Sequence, residues 1–587
     1  MIMLRKVITV NIGLILMIVI SSCGDRSQLG SSENKSNEME NQADLVLLGG
    51  DIATVDADYG NVSAMAINDY KITAVGSDKE ISEYIGEQTQ VIELNGRFVM
   101  PGFIEGHGHY MSLGRSKQIL DLNDVGDWSE IVRKVAVAVD KSKPGEWIFG
   151  RGWHQDKWQS VPSNAVDGVP INETLNKISP ENPVILGHAS GHAAFWNDAA
   201  LEIAGVNDDT LDPEGGTIVR DSSGRATGLM RETAQRLIRG PRSEYDGRLT
   251  PQQIELQNRE RAKLAAEESL RNGITSFHDA GASFETIDFF KKLEAEGELD
   301  VRLYVMVRGE SNALMDQALP QYKMVSEGND FLTVRSIKRQ IDGALGAHGA
   351  WLLDPYLDLP ETDGLVLETV EDISGTAEIG VKHGFQVNTH AIGDRANREI
   401  LDLYENIWQQ LDVDGKQLRW RIEHAQHIDP EDVPRFGGLG VIASIQAVHG
   451  TSDGPWIPSR LGDIRAKATS QPWRDLFNTG AILTNGTDVP VERIDPIASY
   501  YSSVTRKMIN GDAFYPEHKM TRVEAIETYT INNAYAAFEE NFKGTLTPGK
   551  YADFIVLSKN LLTIKDSDIP STLIDMTYVG GELKYQR

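Results

Sequence analysis

The side chains best suited to chemistry are histidines, with an aspartate and a lysine among them. His107 and His109 stand in MPGFIEGHGH, His390 in QVNTHAIGDRA, His424 in RWRIEHAQH and Asp488 in ILTNGTDVPVE. Residues i and i+2 of an extended backbone point the same way, so the His-x-His pair can turn two imidazoles on one ion. Imidazole and carboxylate donors suit zinc or a similar divalent ion. The single cysteine, Cys23, excludes a Cys-based zinc site and an intrachain disulfide. Lys338 lies in SIKRQIDGALG, where Lys338, Gln340 and Asp342 share one face of a strand. A lysine aimed into a protein interior is costly while charged and unpaired. Either it pairs with an acidic neighbour such as Asp342, or it reacts with CO2 to form a carbamate whose two oxygens bridge two metals. The residue type leaves both open.

Such residues need a scaffold that brings them to one point. Candidate strands are Phe98–Ile104, Ile274–His278, Val301–Val307, Val334–Ile341, Gly384–His390, Leu418–His424, Gly440–Gln446 and Ala481–Asn485. Most are followed by helical patterns, such as ANREILDLYENIWQQL after the fifth and MTRVEAIETYTINNAYAAF after the last. Strand–helix alternation with eight strands predicts an α/β fold, a (β/α)8 TIM barrel over 98–542, with its active site at the C-terminal strand ends. There His107 and His109 follow the first strand, His278 ends the second, His390 the fifth and His424 the sixth, and Asp488 follows the eighth. About 170 residues separate the first two strands, so a large insertion, about 111–245, must sit at the mouth or side. It is rich in Trp, which serves either an apolar group in the pocket or packing within the insertion. It also carries His192, in HASGHAAFWNDAAL. His192, His449 and Asp453 are candidates for contact with substrate, as is His427; Asp279 and Glu423 flank mouth residues and could orient them. A structural hydrogen bond is the competing role for each.

Short runs rich in β-branched residues fill 43–97 and return in 543–587. Each end alone has few strands and would be marginal. One composite β-sandwich built from both is therefore expected, with two unrelated β appendages as the alternative. The whole chain has 587 residues, 40% of them hydrophobic and 24% charged, which permits a large core. Its net charge of −29 argues against a nucleic-acid partner, which calls for a basic face.

Arg5 and Lys6 precede an apolar run from Val7 to Ile20, short for a spanning helix of about 20 residues. This is the pattern of a secretory signal, expected over 1–22. The following Ile20-Ser21-Ser22-Cys23-Gly24 resembles a bacterial lipobox, which implies lipidation of Cys23; an uncleaved membrane anchor is the alternative. Residues 23–42 are polar and small and read as a flexible tether.

The ordered motifs VMPGFIEGHGH, HAAFWNDAAL, DPEGGTIVRDSSGRATGLM, GITSFHDAG, IKRQIDGALG, NTHAIGDRA, RIEHAQHIDPED, GTDVPVERIDP and GTLTPGKYADFIVL run from about Ala43 to the C-terminus. In them the chain resembles the amidohydrolase superfamily, specifically its amidohydrolase 3 (YtcJ-like) family. The resemblance implies that His107, His109 and Asp488 bind the more buried of two Zn2+ ions and His390 and His424 the second, with carbamylated Lys338 bridging them. It implies Asp488 as general base and proton shuttle. His278, from its place at the end of the second strand, is a candidate for a catalytic role, for contact with substrate or for support of the ligands, with a structural hydrogen bond as the competing role. Two departures stand near the site: Glu105 where Asp is common before the His-x-His pair, and Ala347-His348 where Ser-Arg often follows DGALG.

The expected protein is thus an exported, lipid-anchored enzyme on the periplasmic side or surface of a bacterial membrane. It hydrolyses carbon–nitrogen bonds of non-peptide amides with a metal-activated hydroxide. Its partners are a small-molecule substrate and, through the lipid, the membrane; the oligomeric state, including a homodimer, is left open. A lactone or ester hydrolase with the same site is the first alternative. A mononuclear deaminase is disfavoured by Lys338, and a non-catalytic lipid-anchored binding protein by the complete ligand set.

Overall fold

A computed structural model describes residues 42–587 apart from 124, 156–157, 161–162, 167, 189–192, 214–215 and 327–329. The expected signal sequence, Cys23, almost all of the tether, and His192 lie outside the described residues. Eight strands form one nearly closed sheet in chain order: β1 Phe103–Gly108, β2 Ile274–Ala282, β3 Arg302–Val307, β4 Leu332–Gln340, β5 Gln386–Ala391, β6 Arg421–His424, β7 Ile442–Ile445 and β8 Leu483–Asn485. All seven neighbouring pairs are parallel. The strands are buried on both faces, as a parallel sheet under helices requires.

The seam between β8 and β1 is closed by single contacts. The Asn533 side-chain amide donates to Ile104 O at 2.6 Å and to Asn485 O at 2.9 Å. The Asp488 and His109 amides donate to His107 O and Val489 O, each at 2.8 Å. The chains approach so closely that a Cβ on Gly106 would lie 2.5 Å from Asn485 O, and one on Gly486 2.5 Å from His107 N. Glycine is required at both positions.

Helices cover the barrel. α1 (Pro251–Arg271) opens with a Thr250/Gln253 capping box and Pro in the first turn. α2 (Phe284–Ala295), α3 (Asn312–Tyr322), α4 (Val370–His383) and α5 (Asp394–Leu411) follow β2 to β5 in turn. α4 stops at Gly384, whose φ of 68° is left-handed. In α5, Asn397, Ile400, Leu401, Tyr404, Ile407 and Trp408 recur at helical spacing and form the buried face.

Four expectations about elements need correction. The strand expected over Phe98–Ile104 breaks at Pro101-Gly102. Its first half, Phe98–Pro101, pairs antiparallel with Phe554–Leu557 in another sheet, and the barrel strand begins at Phe103 and includes His107. β2 runs on to Ala282, so His278 lies in mid-strand and not at its end. β6 begins at Arg421 and not at Leu418, because Leu418 ends a short helix and Arg419 takes a φ of 50°. The helix expected over MTRVEAIETYTINNAYAAF is two, Arg522–Thr528 and Ile531–Ala536, divided at Tyr529 and Thr530, where Thr530 leaves helical geometry.

Outside the barrel, one six-stranded sheet takes strands from both ends of the chain: Asp51–Ala53, Asn61–Val62 and Phe98–Pro101 with Phe554–Leu557, Ile574–Val579 and Glu582–Gln586. Leu47, Met65 and Ile67 of a four-stranded sheet share a buried cluster with its Val99, Phe554 and Val556. Between β1 and α1 stands another six-stranded sheet, from Leu120–Asp121 to Ala226–Glu232. It has its own core, in which Trp128, Trp153 and Trp158 pack on one another and on Phe195. Packing within the insertion is therefore what those tryptophans do.

Candidate metal centre

The ends of β1, β5, β6 and β8 bring four of the expected donors together. His107 is the penultimate residue of β1, and its Nδ1 hydrogen-bonds the Glu423 carboxylate of β6. Ser444 Oγ donates to the same Glu423 oxygen at 2.7 Å. His424 ends β6, and its Nδ1 lies 2.6 Å from Gln446 Oε1, just past β7. An acceptor on Nδ1 puts the proton there and leaves Nε2 of each ring with a free lone pair, the usual preparation of a metal-binding histidine. The His424 ring centroid is 4.8 Å from that of His107 and 4.2 Å from that of His390. Asp488 Oδ1 lies 3.7 Å from His107 Nε2 and 3.2 Å from His109 Nε2. Donor atoms of His107, His424 and Asp488 all fall within 4.8 Å of one another. This tight group draws on both ion positions implied by the resemblance.

Lys338, on β4, places its Nζ 3.4 Å from His107 Nε2. Of the two roles left open, the ion pair with Asp342 is not formed. Asp342 instead accepts the backbone N–H groups of Trp351, Ile392 and Gly393 at 2.8–3.0 Å, with His390 Nε2 at 3.4 Å. His424 and Asp488 both hold left-handed backbone, φ 79° and 56°. That costs energy for residues other than glycine and is common where side chains are aimed for chemistry.

The electrostatics favour ligands over buried salts. Burial, with Lys338 next, lowers the His107 pKa to about 4, and burial first takes His390 and His424 well below the usual imidazole value. All three are neutral, the form that binds metal. Burial opposes the charge on Asp488, but the closeness of His109, His107 and His424 outweighs it and holds the carboxyl well below its ordinary range. Glu423 behaves alike: burial raises its pKa, and His107 then brings it down to about 2. Burial lowers Lys338 to about 8. His390 Nε2 is buried without a hydrogen-bond partner among the described residues, and Asp488 Oδ1 faces the ring nitrogens of His109 and His107. Neutral imidazoles, an ionised carboxylate and an unpartnered ring nitrogen together fit a divalent cation.

The remaining candidates separate. His278 lies in mid-strand with its Nδ1 3.3 Å from Arg421 Nη1, while its Nε2 is buried and unpartnered. His449 and Asp453 lie beyond β7 in the short helix Ala447–Ser452 and at its end. Burial raises Asp453 to about 6. His427 Nδ1 lies 3.1 Å from Ser470 Oγ. Asp279 accepts the Tyr110 amide at 3.4 Å, in a position to orient the turn after His109. Glu105 accepts Thr487 N at 2.5 Å and Thr487 Oγ1 at 3.2 Å, so it ties β1 to the loop carrying Asp488. His348 faces Asp358 at 3.1 Å. Sequence reasoning missed Gln446 and Ser444, which alternate at the end of β7 and could have been found by the period of two that singled out Lys338.

The sequence profile of the amidohydrolase family (Amidohydro_3) matches residues 90–585. The protein LONG AFTER FAR-RED 3 of Arabidopsis thaliana is 35% identical over 92% of both chains. N-substituted formamide deformylase of Arthrobacter pascens is 24% identical over 94% of this chain and 99% of its own. A solved structure, of an uncharacterized metal-dependent hydrolase from Pyrococcus furiosus, superposes with a TM-score of 0.69 at 28% identity, over 88% of this chain and all of its own. With a nearly closed parallel barrel and a His–His–Asp group at its mouth, the chain belongs to the amidohydrolase family of hydrolases.

Proposed function

We propose that this protein is a metal-dependent hydrolase of carbon–nitrogen bonds in small, non-peptide amides. The buried His107–His424–Asp488 group carries the reading. His107, His109 and Asp488 would hold one ion and His390 and His424 a second, zinc suiting this donor set. When bound, such ions polarise a carbonyl and lower the pKa of water. Glu423 and Gln446 fix the rings of His107 and His424. Asp488 Oδ1 accepts the proton of the attacking water and delivers it to the leaving nitrogen, for which its ionised state equips it. Amide bonds are favoured by the relative named for deformylating N-substituted formamides.

Lys338 is the bridge in this reading. It is buried, and no carboxylate lies within ion-pair distance of its Nζ among the described residues. Burial increases its neutral fraction. The ammonium first loses a proton; the neutral amine then adds to CO2, forming one N–C bond at the expense of one C=O π bond and releasing a second proton, so that a costly buried cation would become a carbamate whose oxygens could hold two cations. His278 takes a positioning role, through Arg421. Metal analysis of a soluble version beginning at residue 43 tests the site. About two divalent ions per chain are expected, falling clearly in Lys338→Ala. One ion, unchanged by the substitution, would move the reading to a mononuclear enzyme, and no ion after incubation with zinc and bicarbonate would sink it.

The export signal and the lipid on Cys23 complete the reading and place the enzyme on a bacterial membrane, with Cys23→Ala expected to lose a fatty-acid label and enter the soluble fraction. A variant that remains membrane-bound and labelled would overturn the lipid anchor.

A further inference from the structure

His449 stands in the first turn of the helix Ala447–Ser452, three residues past Gln446, and is only 6% exposed. Its ring is nearly parallel to that of His424, at 11° and 6.3 Å between centroids. It is therefore one ring away from the metal donors without being one of the His107–His424–Asp488 group. Gln426 Nε2 lies 3.0 Å from His449 Nδ1. With the Gln426 amide nitrogen donating, Nδ1 accepts and the ring proton is on Nε2. Gln426 is itself buried, and its backbone carbonyl is held by Gln471 N at 2.7 Å. The resulting Nε2–H is buried and finds no partner among the described residues. Buried donors in folded proteins are nearly always paired. A buried donor left unpaired beside a catalytic centre is suited to an acceptor that arrives with the substrate.

We infer that His449 binds substrate, its Nε2–H donating to the carbonyl oxygen of the scissile amide, with Gln426 as the residue that sets the tautomer. The inference rests on the amide reading above. It selects for a strong oxygen acceptor and is indifferent to substitution on nitrogen, so secondary and tertiary amides both qualify.

The test uses the metal-loaded enzyme and a panel of N-substituted formamides, following formate release. His449→Phe keeps a ring and removes the donor. It is expected to lower kcat/KM about 100-fold or more, with metal content and Tm unchanged. His449→Gln, which restores an N–H donor, is expected to recover at least about tenfold of that. Gln426→Leu should lower kcat/KM less, by about tenfold, because the tautomer is no longer imposed. A His449→Phe enzyme within about threefold of the parent overturns the inference, as does loss of metal from it, which would make His449 a structural support. A metal-loaded parent that cleaves none of the panel overturns the amide reading instead. His449 is then judged by titrating formate into parent and His449→Phe: binding weakened about tenfold or more supports the donor, and equal binding overturns it.

Discussion

The two ends of the barrel interior hold the same kinds of residue in opposite states. At the N-terminal end buried charges find one another. Lys543 Nζ lies 2.5 Å from Glu539 Oε2 and donates to Ser276 Oγ at 3.0 Å, while Thr333 Oγ1 donates to the other Glu539 oxygen at 2.8 Å. Arg302 grips Asp553 through two nitrogens at 2.8 and 3.1 Å, and Gly580 N adds a third bond at 2.7 Å. At the C-terminal end the rings of His107, His390 and His424 crowd around Asp488, ring nitrogens of His390 and His449 have no hydrogen-bond partner among the described residues, and backbone is held in the left-handed region. Cations paired with carboxylates are what a fold needs to stay folded; neutral rings gathered on one carboxylate, with ring nitrogens left unpartnered, persist where a ligand is to be met. The contrast says that substitutions at the two ends should fail differently, one in chemistry and the other in stability.

The largest effect expected is on chemistry. Asp488→Asn keeps the shape, tolerates the left-handed φ and removes the charge. Turnover of any amide the parent hydrolyses should fall about 10⁴-fold, by analogy with the loss of a catalytic carboxylate elsewhere, while Tm is not lowered. A fall of less than about tenfold would remove Asp488 from the reaction and with it the functional half of the contrast.

The opposite end answers with stability. Lys543→Met leaves the buried Glu539 without its cation and should cost about 3–5 kcal/mol in denaturant unfolding. The kcat of the folded fraction should stay within about twofold. Adding Glu539→Leu should recover part of the loss, since an apolar pair is no worse than a satisfied ionic one. An unchanged stability in the single variant would show that this end is no more committed to folding than the mouth.

Much of this contrast was legible because strand ends are where barrels keep their chemistry. His390, His424 and Asp488 stand where strand patterns stop, and histidine in such a place has few other uses. Strand boundaries were less legible. Phe98 to Ile104 is one continuous apolar run, and only the pairing of Phe98–Pro101 with Phe554–Leu557, more than 450 residues away, divides it. β2 continues past His278 through Asp279-Ala280-Gly281, small and polar residues that suggest a turn until their parallel partners are known. Asn533 resembles any helix asparagine, yet it spans the β8–β1 seam, a role fixed by contacts 429 and 48 residues distant. The tryptophans of the insertion gave two readings because a large aromatic packs a core or a pocket by the same physics; only their mutual contacts decide.

The smallest effect expected lies where the two ends meet. Glu423 is fully buried between them: Arg421 Nη1 stands 4.0 Å from one oxygen, and the other accepts from His107 Nδ1 and Ser444 Oγ. Glu423→Gln keeps the volume and still offers His107 an acceptor, but removes the charge that raises the basicity of the ring. Metal affinity, measured by competition with a chelator, should fall about 10- to 100-fold, the usual result of disturbing a carboxylate behind a metal-binding histidine. Stability without metal should change little, because the amide also relieves the cost of burying a charge, offsetting the weaker contact with Arg421. If stability collapses while metal affinity in the folded fraction is unchanged, Glu423 belongs with Lys543 and Arg302 as part of the supporting floor, and the boundary between the two regions lies one residue closer to the mouth, at His424.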